Sequence, residues 1–167
     1  IMAEAPDANR LCTAAARGDL REIEMILQSN IDVNEKNIFG RTPLQVVKLG
    51  CPCAAEALLL AQADPNLRDP IGGLTITHDA ARDGYVDTLQ VLVNYGANVN
   101  LLDGGGNLPL HLAAREGHLD VVQFLIQHTT QPFQKNGAGL TPLELASVNN
   151  RDDTARWLET YRSTNSH

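Results

Sequence analysis

The chain is short of cysteine, holding only Cys12, Cys51 and Cys53, and an odd number without regular spacing suits a reducing compartment rather than a disulfide scaffold. Cys51-Pro52-Cys53 lacks the two-residue gap of a zinc knuckle or redox motif. No histidine and cysteine cluster completes a ligand set, so no metal is expected and the thiols read as inert. Basic residues are short as well: 13 lysines and arginines face 20 aspartates and glutamates, a formal net charge of −7. That balance argues against nucleic acid or an anionic membrane as the main partner, because both reward basic patches. It favours a soluble protein whose partner surface is neutral or basic. There is no run of about 18 apolar residues and no leader of secretory type, so neither a membrane span nor export is expected.

Catalytic patterns are missing too. No Gly-x-Ser-x-Gly elbow occurs, and "GGLT" and "GGGN" lack the Lys-Ser/Thr of a phosphate loop, so both read as turns. His111, Glu116 and His118 do not have the spacing that sets two histidine ligands on one helical face. His78 and Asp79 are adjacent, about 100° apart on a helix, which is poor geometry for an imidazole–carboxylate dyad. The expectation is a protein that is not an enzyme and uses no cofactor.

What the chain does have is self-similarity. "HDAARDGYVDTLQVLV", residues 78–93, returns as "HLAAREGHLDVVQFLI", residues 111–126, a period of 33. In that register Thr42-Pro43-Leu44-Gln45, Thr75-Ile76-Thr77-His78, Leu108-Pro109-Leu110-His111 and Thr141-Pro142-Leu143-Glu144 align. Gly18, Gly84 and Gly117 share one column; Ile26, Leu59, Leu92, Leu125 and Leu158 share another. At 167 residues and 43% hydrophobic content the chain can bury a real core, and a repeat of this length is the mark of a stacked array.

Each unit reads as a helix pair followed by an extended turn. Threonine caps the first helix, proline fits its first position because that amide has no helical partner, and glycine ends it in the left-handed conformation. The spacing predicts helices over 11–17 and 21–29, 43–49 and 54–61, 76–83 and 87–95, 109–116 and 120–128, and 142–148 and 152–162. One unit cannot bury its apolar face alone, so neighbours must stack on it. The signature and period are similar to those of ankyrin repeats. The expected fold is therefore an all-α ankyrin-repeat solenoid of five helix-turn-helix units joined by hairpin-like turns. The repeats run over about 11–38, 39–71, 72–104, 105–137 and 138–162, with a flexible segment at 1–10 and a flexible tail at 163–167.

The second unit breaks the pattern. Gly50 comes one place early, Cys51 sits in the glycine column and Pro52 follows, which predicts a helix clipped to little more than one turn. "ADPN" ends one place early at Asn66, and "DPIGGLTIT" restores the register with an extra residue. Asp79 is a second departure, standing in a column otherwise read as Thr13, Val46, Leu112 and Leu145. A buried unpaired carboxylate is costly, so Asp79 is either paired with Arg82, one turn on, or turned toward a partner. His78 and His111 share a column where a hydrogen bond between units is the ordinary role.

"AAARGDL" (14–20), "FGRTPLQVVKLG" (39–50) and "HDAARDGYVDTLQVLV" (78–93) resemble the ankyrin-repeat inhibitors of the cyclin-D-dependent kinases, of the five-repeat type. The resemblance implies a non-catalytic inhibitor of cyclin-dependent kinases 4 and 6. Such a protein binds beside the ATP cleft, distorts it and opposes cyclin D, restraining G1 progression. It also implies kinase contacts at Phe39, Arg41, Val47, Asn66, Asp69, His78, Asp79 and Arg82, with Arg17 and Asp19 peripheral. Val47 stands where relatives often carry methionine. A free monomer in cytoplasm and nucleus follows from the same resemblance. The alternative is an ankyrin scaffold or adaptor for an unrelated protein.

Overall fold

Five helix pairs follow one another along the chain, and the computed structural model describes residues 7–165 of it. The pairs are α1 (Asp7–Arg17) with α2 (Leu20–Leu27), α3 (Pro43–Val46) with α4 (Pro52–Leu60), α5 (Ile76–Asp83) with α6 (Val86–Asn94), α7 (Pro109–Glu116) with α8 (Leu119–Ile126), and α9 (Pro142–Val148) with α10 (Asp152–Thr164). First helices stack on first helices and second on second, giving two layers with the hairpins at one edge. The leucine and isoleucine column lies along the seam: Ile26 and Leu59 are 5% exposed and Leu92, Leu125 and Leu158 are fully buried. Each such side chain contributes about 1.5–3 kcal/mol through its burial, which only the neighbouring unit makes possible. The array is an ankyrin-repeat solenoid, and among the described residues no segment forms a β-strand.

Local chemistry sets the helix ends. Thr42, Thr75 and Thr141 accept from the backbone N–H three residues on, closing capping boxes with Gln45, His78 and Glu144. Gly18, Gly84 and Gly117 take φ of +68°, +84° and +78°, and the next residue donates its N–H to a carbonyl five residues back. Asn150, with φ +61°, fills the same place in the fifth unit, and Arg151 N–H reaches the Ala146 carbonyl at 2.8 Å.

The clipped helix of the second unit is there, four residues long, but Gly50 does not stop it. Val47 already leaves the helix at φ −58°, ψ 145°, and Gly50 does not take the left-handed conformation. The equivalent of Asp19, Tyr85, His118 and Arg151, whose N–H groups close the other first helices, is Pro52, which has no N–H to give. The unwound stretch finds partners outside itself: Lys48 N–H donates to the Ala15 carbonyl at 2.9 Å, and the Thr88 hydroxyl donates to the Leu49 carbonyl. The extra residue expected before Leu74 is also present, since the turn closed by Asp69 N–H and Leu74 O spans six residues and that of Asp103 and Asn107 five.

The ends differ from expectation where they are described. Residues 7–10 are helical because Ala8, Leu11, Cys12 and Ala15 form one buried stripe, and α10 continues past 162 as Tyr161 packs on the core and Arg162 pairs with Glu159. The rest of the expected flexible segment and tail lies outside the described residues.

Candidate protein-docking surface

The hairpins ahead of α3, α5, α7 and α9 are each built on one side chain. Asn37 Oδ1 accepts the N–H groups of Phe39 and Arg41, Asp69 Oδ1 that of Ile71, Asp103 Oδ1 those of Gly105 and Asn107, and Asn136 Oδ1 those of Ala138 and Leu140. Asp69 does more than turn its own hairpin. Arg41 of the preceding hairpin grips it with two prongs, Nε to Oδ2 at 2.6 Å and Nη2 to Oδ1 at 3.1 Å. The guanidinium holds the Asp69 carboxyl below its ordinary range, and the carboxylate in turn raises Arg41.

Helix α5 contributes the second ion cluster. Arg82 Nη1 lies 3.1 Å from Asp79 Oδ1, while its Nε and Nη2 donate to Asp83 at 2.9 and 3.3 Å. Asp79 is thus paired within the chain, yet its side chain keeps 29% of its surface open. One guanidinium serves two carboxylates, and Asp69 adds a third negative charge nearby. Burial is the larger influence on Asp79 and pushes its carboxyl upward; Arg82 pulls it down, and Asp69 and Asp83 push it up again. The folded chain therefore holds the ionised Asp79 at some disadvantage. Two arginines among three carboxylates leave this patch with a net charge of −1.

Two expected contact residues, His78 and Val47, are enclosed by the fold, and a third, Asn66, is half-buried. His78 is fully buried: its Nδ1 accepts the Thr75 N–H at 3.2 Å and its Nε2 donates to the Asn107 carbonyl at 2.8 Å, tying α5 to the next hairpin. His111 does the same against Gln134 and Leu140, and burial lowers the pKa of both rings. Val47 is 4% exposed and belongs to the core, one place beyond α3 rather than within it. Asn66 is half-buried and already engaged, its Oδ1 accepting Asn98 N–H and its Nδ2 donating to the Gly96 carbonyl. Asn34 and Asn100 make the equivalent pair of bonds to the next unit, so the one-place shift of Asn66 preserves a structural ladder. Of the peripheral pair, Asp19 caps α2 through Glu22 N–H and Arg17 is exposed. Phe39, Arg41, Asp69, Asp79 and Arg82 remain on the surface of one layer.

Sequence reasoning missed Thr88, whose column otherwise carries Glu22, Ala55, Val121 and Thr154; a hydroxyl at a buried position was the available signal. It also missed two orphans. The Gln45 side-chain nitrogen and the Thr77 hydroxyl are buried with no hydrogen-bond partner among the described residues. Gln45 copies the Nδ1 role of His78 by accepting the Thr42 N–H at 2.7 Å, but its side-chain nitrogen does not make the Nε2-type bond to the following hairpin. Among the described residues no group of three or more His, Cys, Asp or Glu is placed to hold a metal ion.

The sequence matches the family described as ankyrin repeats (3 copies) over residues 11–103, 44–136 and 78–165. Among curated proteins it is 45% identical over 100 residues to cyclin-dependent kinase 4 inhibitor B of Rattus norvegicus, covering 60% of this chain and 77% of that one. It is 44% identical over 105 residues to cyclin-dependent kinase inhibitor 2A of Homo sapiens, covering 63% of this chain and 67% of that one. With the human cyclin-dependent kinase 4 inhibitor B it shares 44% over 100 residues, 60% of this chain and 72% of the relative. By these similarities the chain belongs to the ankyrin-repeat family of cyclin-dependent kinase inhibitors.

Proposed function

We propose that this chain is a non-catalytic protein inhibitor of cyclin-dependent kinases 4 and 6, with no chemistry of its own. The observation that carries the reading is Asp79, a half-buried carboxylate paired with Arg82 at 3.1 Å, whose burial disfavours its charged form, on a face that also presents Arg41 and Asp69. A fold that needed only stability would place an apolar residue in that column, as it does with Leu112 and Leu145. A cationic side chain on the partner would relieve Asp79 and convert the penalty into binding energy.

Inhibition then follows from linkage. The chain binds a kinase conformation with its lobes misaligned more tightly than the active one and draws the population there. By reciprocity, whatever factor the inhibitor takes from cyclin D affinity, cyclin D takes from inhibitor affinity. The free chain acts as a monomer in cytoplasm and nucleus, which light scattering and cell fractionation address. The decisive experiment is binding of the purified chain to kinases 4 and 6, with and without a D cyclin. Tight binding to the free kinase that cyclin D weakens supports the reading; no complex with either kinase overturns it and leaves the scaffold alternative.

A further inference from the structure

The second helices form a layer of their own, apart from the first helices and hairpins that carry Arg41, Asp69 and Asp79. Three of them bear the same outward stripe. Counted from the N-cap, the second residue is Asp87 in α6, Asp120 in α8 and Asp153 in α10, all exposed. The sixth, one turn on, is Val91, Phe124 and Trp157, each half-buried. The tenth is Tyr95, His128 and Tyr161. Steps of four residues keep the three positions of each helix on one face, so the stripes line up as an acidic row, an apolar row and a row of rings.

The carboxylates alone need no partner, because an acid in the first turn suits the positive end of a helix. The two rows beside them are different: the outer face of a surface helix is ordinarily polar, and here it holds four of the chain's seven phenylalanine, tyrosine and tryptophan residues. The rings pair along their own helices, Phe124 with His128 at 5.1 Å between centroids and Trp157 stacked on Tyr161 at 5.4 Å. A shallow hollow between α8 and α10, lined by Leu119, Asp153, Arg156, Trp157 and Thr160, opens beside the tryptophan. Asp87 and Asp120 are the only charged residues of α6 and α8, so no base on those helices offsets them. Asp153 has Arg156 at 3.9 Å, with both side chains largely in solvent. The first two units lack the acid and the ring, having Arg21, Met25 and Ser29, and Cys53, Ala57 and Ala61, at the same three places.

We propose that the outer face of α6, α8 and α10 docks a basic amphipathic helix of a partner protein, laid across the three helices. Each stripe runs about 12 Å along its helix, eight residues at about 1.5 Å each, and packed helices stand about 8–10 Å apart. An α-helix is about 10–12 Å across and returns to the same face every seven residues, or about 10.5 Å. One such helix therefore spans the width of the stripes in a single pass and offers one basic and one apolar side chain to each unit. Its lysines or arginines meet the aspartate row, and its apolar edge rests on Val91, Phe124 and Trp157. Charge complementarity selects a basic helix over an acidic one of the same shape. The surface lies in a different layer from the kinase face, so the inference stands apart from the kinase reading, and the chain can hold both partners at once.

Trp157 is the chain's only tryptophan and stands in the middle row, so its emission reports occupancy directly. The probe is a tryptophan-free helical peptide of three heptads, with leucines along one face and lysines at seven-residue spacing along one edge of it. Two further peptides serve as comparisons, one with glutamate in place of each lysine and one with the same composition scrambled. Binding is read by Trp157 fluorescence and by anisotropy of the labelled peptide, for the wild-type chain and for the triple variant Asp87→Asn, Asp120→Asn, Asp153→Asn. The variant should melt close to the wild type, because all three positions are exposed. The lysine peptide should bind the wild type and shift the Trp157 emission, and it should bind the variant at least tenfold more weakly. The glutamate and scrambled peptides should bind at least tenfold more weakly than the lysine peptide. No binding of the lysine peptide, equal binding by the variant or by either comparison peptide, or binding that leaves Trp157 unchanged overturns the proposal. None of these results touches the kinase reading, which the kinase titration tests separately.

Discussion

Replacing Thr88 by valine isolates what holds the unwound second unit in place. Thr88 is 1% exposed on α6, and its hydroxyl donates to the Leu49 carbonyl, which is free because α3 ends at Val46. Valine keeps the shape and removes only the donor. A typical hydrogen bond contributes about 0.5–1.5 kcal/mol, and a carbonyl left without its donor costs about 1–3 kcal/mol. Part of the segment around Leu49 is open to solvent, which places the expected loss at about 1–2 kcal/mol, or roughly 2–8 °C in melting temperature for a chain of this size. Urea unfolding followed by circular dichroism gives the global number. Native-state amide exchange gives its location: residues 42–60 should exchange faster than 108–126 in the wild type, and Thr88→Val should widen the gap. Thr88→Ser, which keeps the donor, should restore the pattern. A Thr88→Val chain as stable as the wild type, with unchanged exchange at 42–60, refutes the idea that the third unit braces the second.

The same substitution one helix earlier should have the opposite sign: Thr77 is fully buried and its hydroxyl has no partner among the described residues, so Thr77→Val should stabilise by about 1 kcal/mol, read in the same urea titration. Gln45→His should also stabilise, by about 0.5–1.5 kcal/mol, by reaching the Leu74 carbonyl as His78 and His111 reach Asn107 and Leu140; no gain in the melt contradicts that register. Stability should fall as pH drops below about 6.5, because burial lowers His78 and His111 in the folded state and the unfolded chain takes up those protons first. A His78→Gln, His111→Gln chain should show a flatter dependence from pH 7 to 5, and an unchanged slope contradicts the assignment. Cys12, whose thiol burial pushes up to about 11, should resist alkylation at pH 8 while exposed Cys53 reacts, as mass spectrometry of the labelled chain would report.

Much of the fold was legible because ankyrin units announce themselves locally. The threonine and proline openings, the glycine column and the aliphatic column each name one physical event, and α5, α7 and α9 have the boundaries that those signals predict. The clipped α3 was legible in outcome but not in cause. The sequence pointed to Gly50 and Pro52 together, whereas Gly50 stops nothing and Pro52 lacks the N–H that closes the first helices of the other units. The docking face was legible in part. Asp79 broke its column, and its partner one turn away followed from helical spacing. Likeness to relatives could not separate residues that face outward from those that face inward, so the buried His78 and Val47 were grouped with Arg41 and Asp69. Only the three-dimensional arrangement shows that Arg41 and Asp69, 28 residues apart, hold each other. Thr77 was opaque, since a threonine in a column of leucines looks the same whether or not a carbonyl waits across the interface.

Asp79 serves either a partner or the fold, and one measurement separates the two. Asp79→Asn keeps the size and removes a charge that the folded chain holds at a disadvantage, so its melting temperature should stay level or rise while its affinity for kinases 4 and 6 falls at least tenfold. Unchanged affinity together with a lower melting temperature would show that the carboxylate holds the stack together, and the assignment of this face to kinase recognition would be wrong.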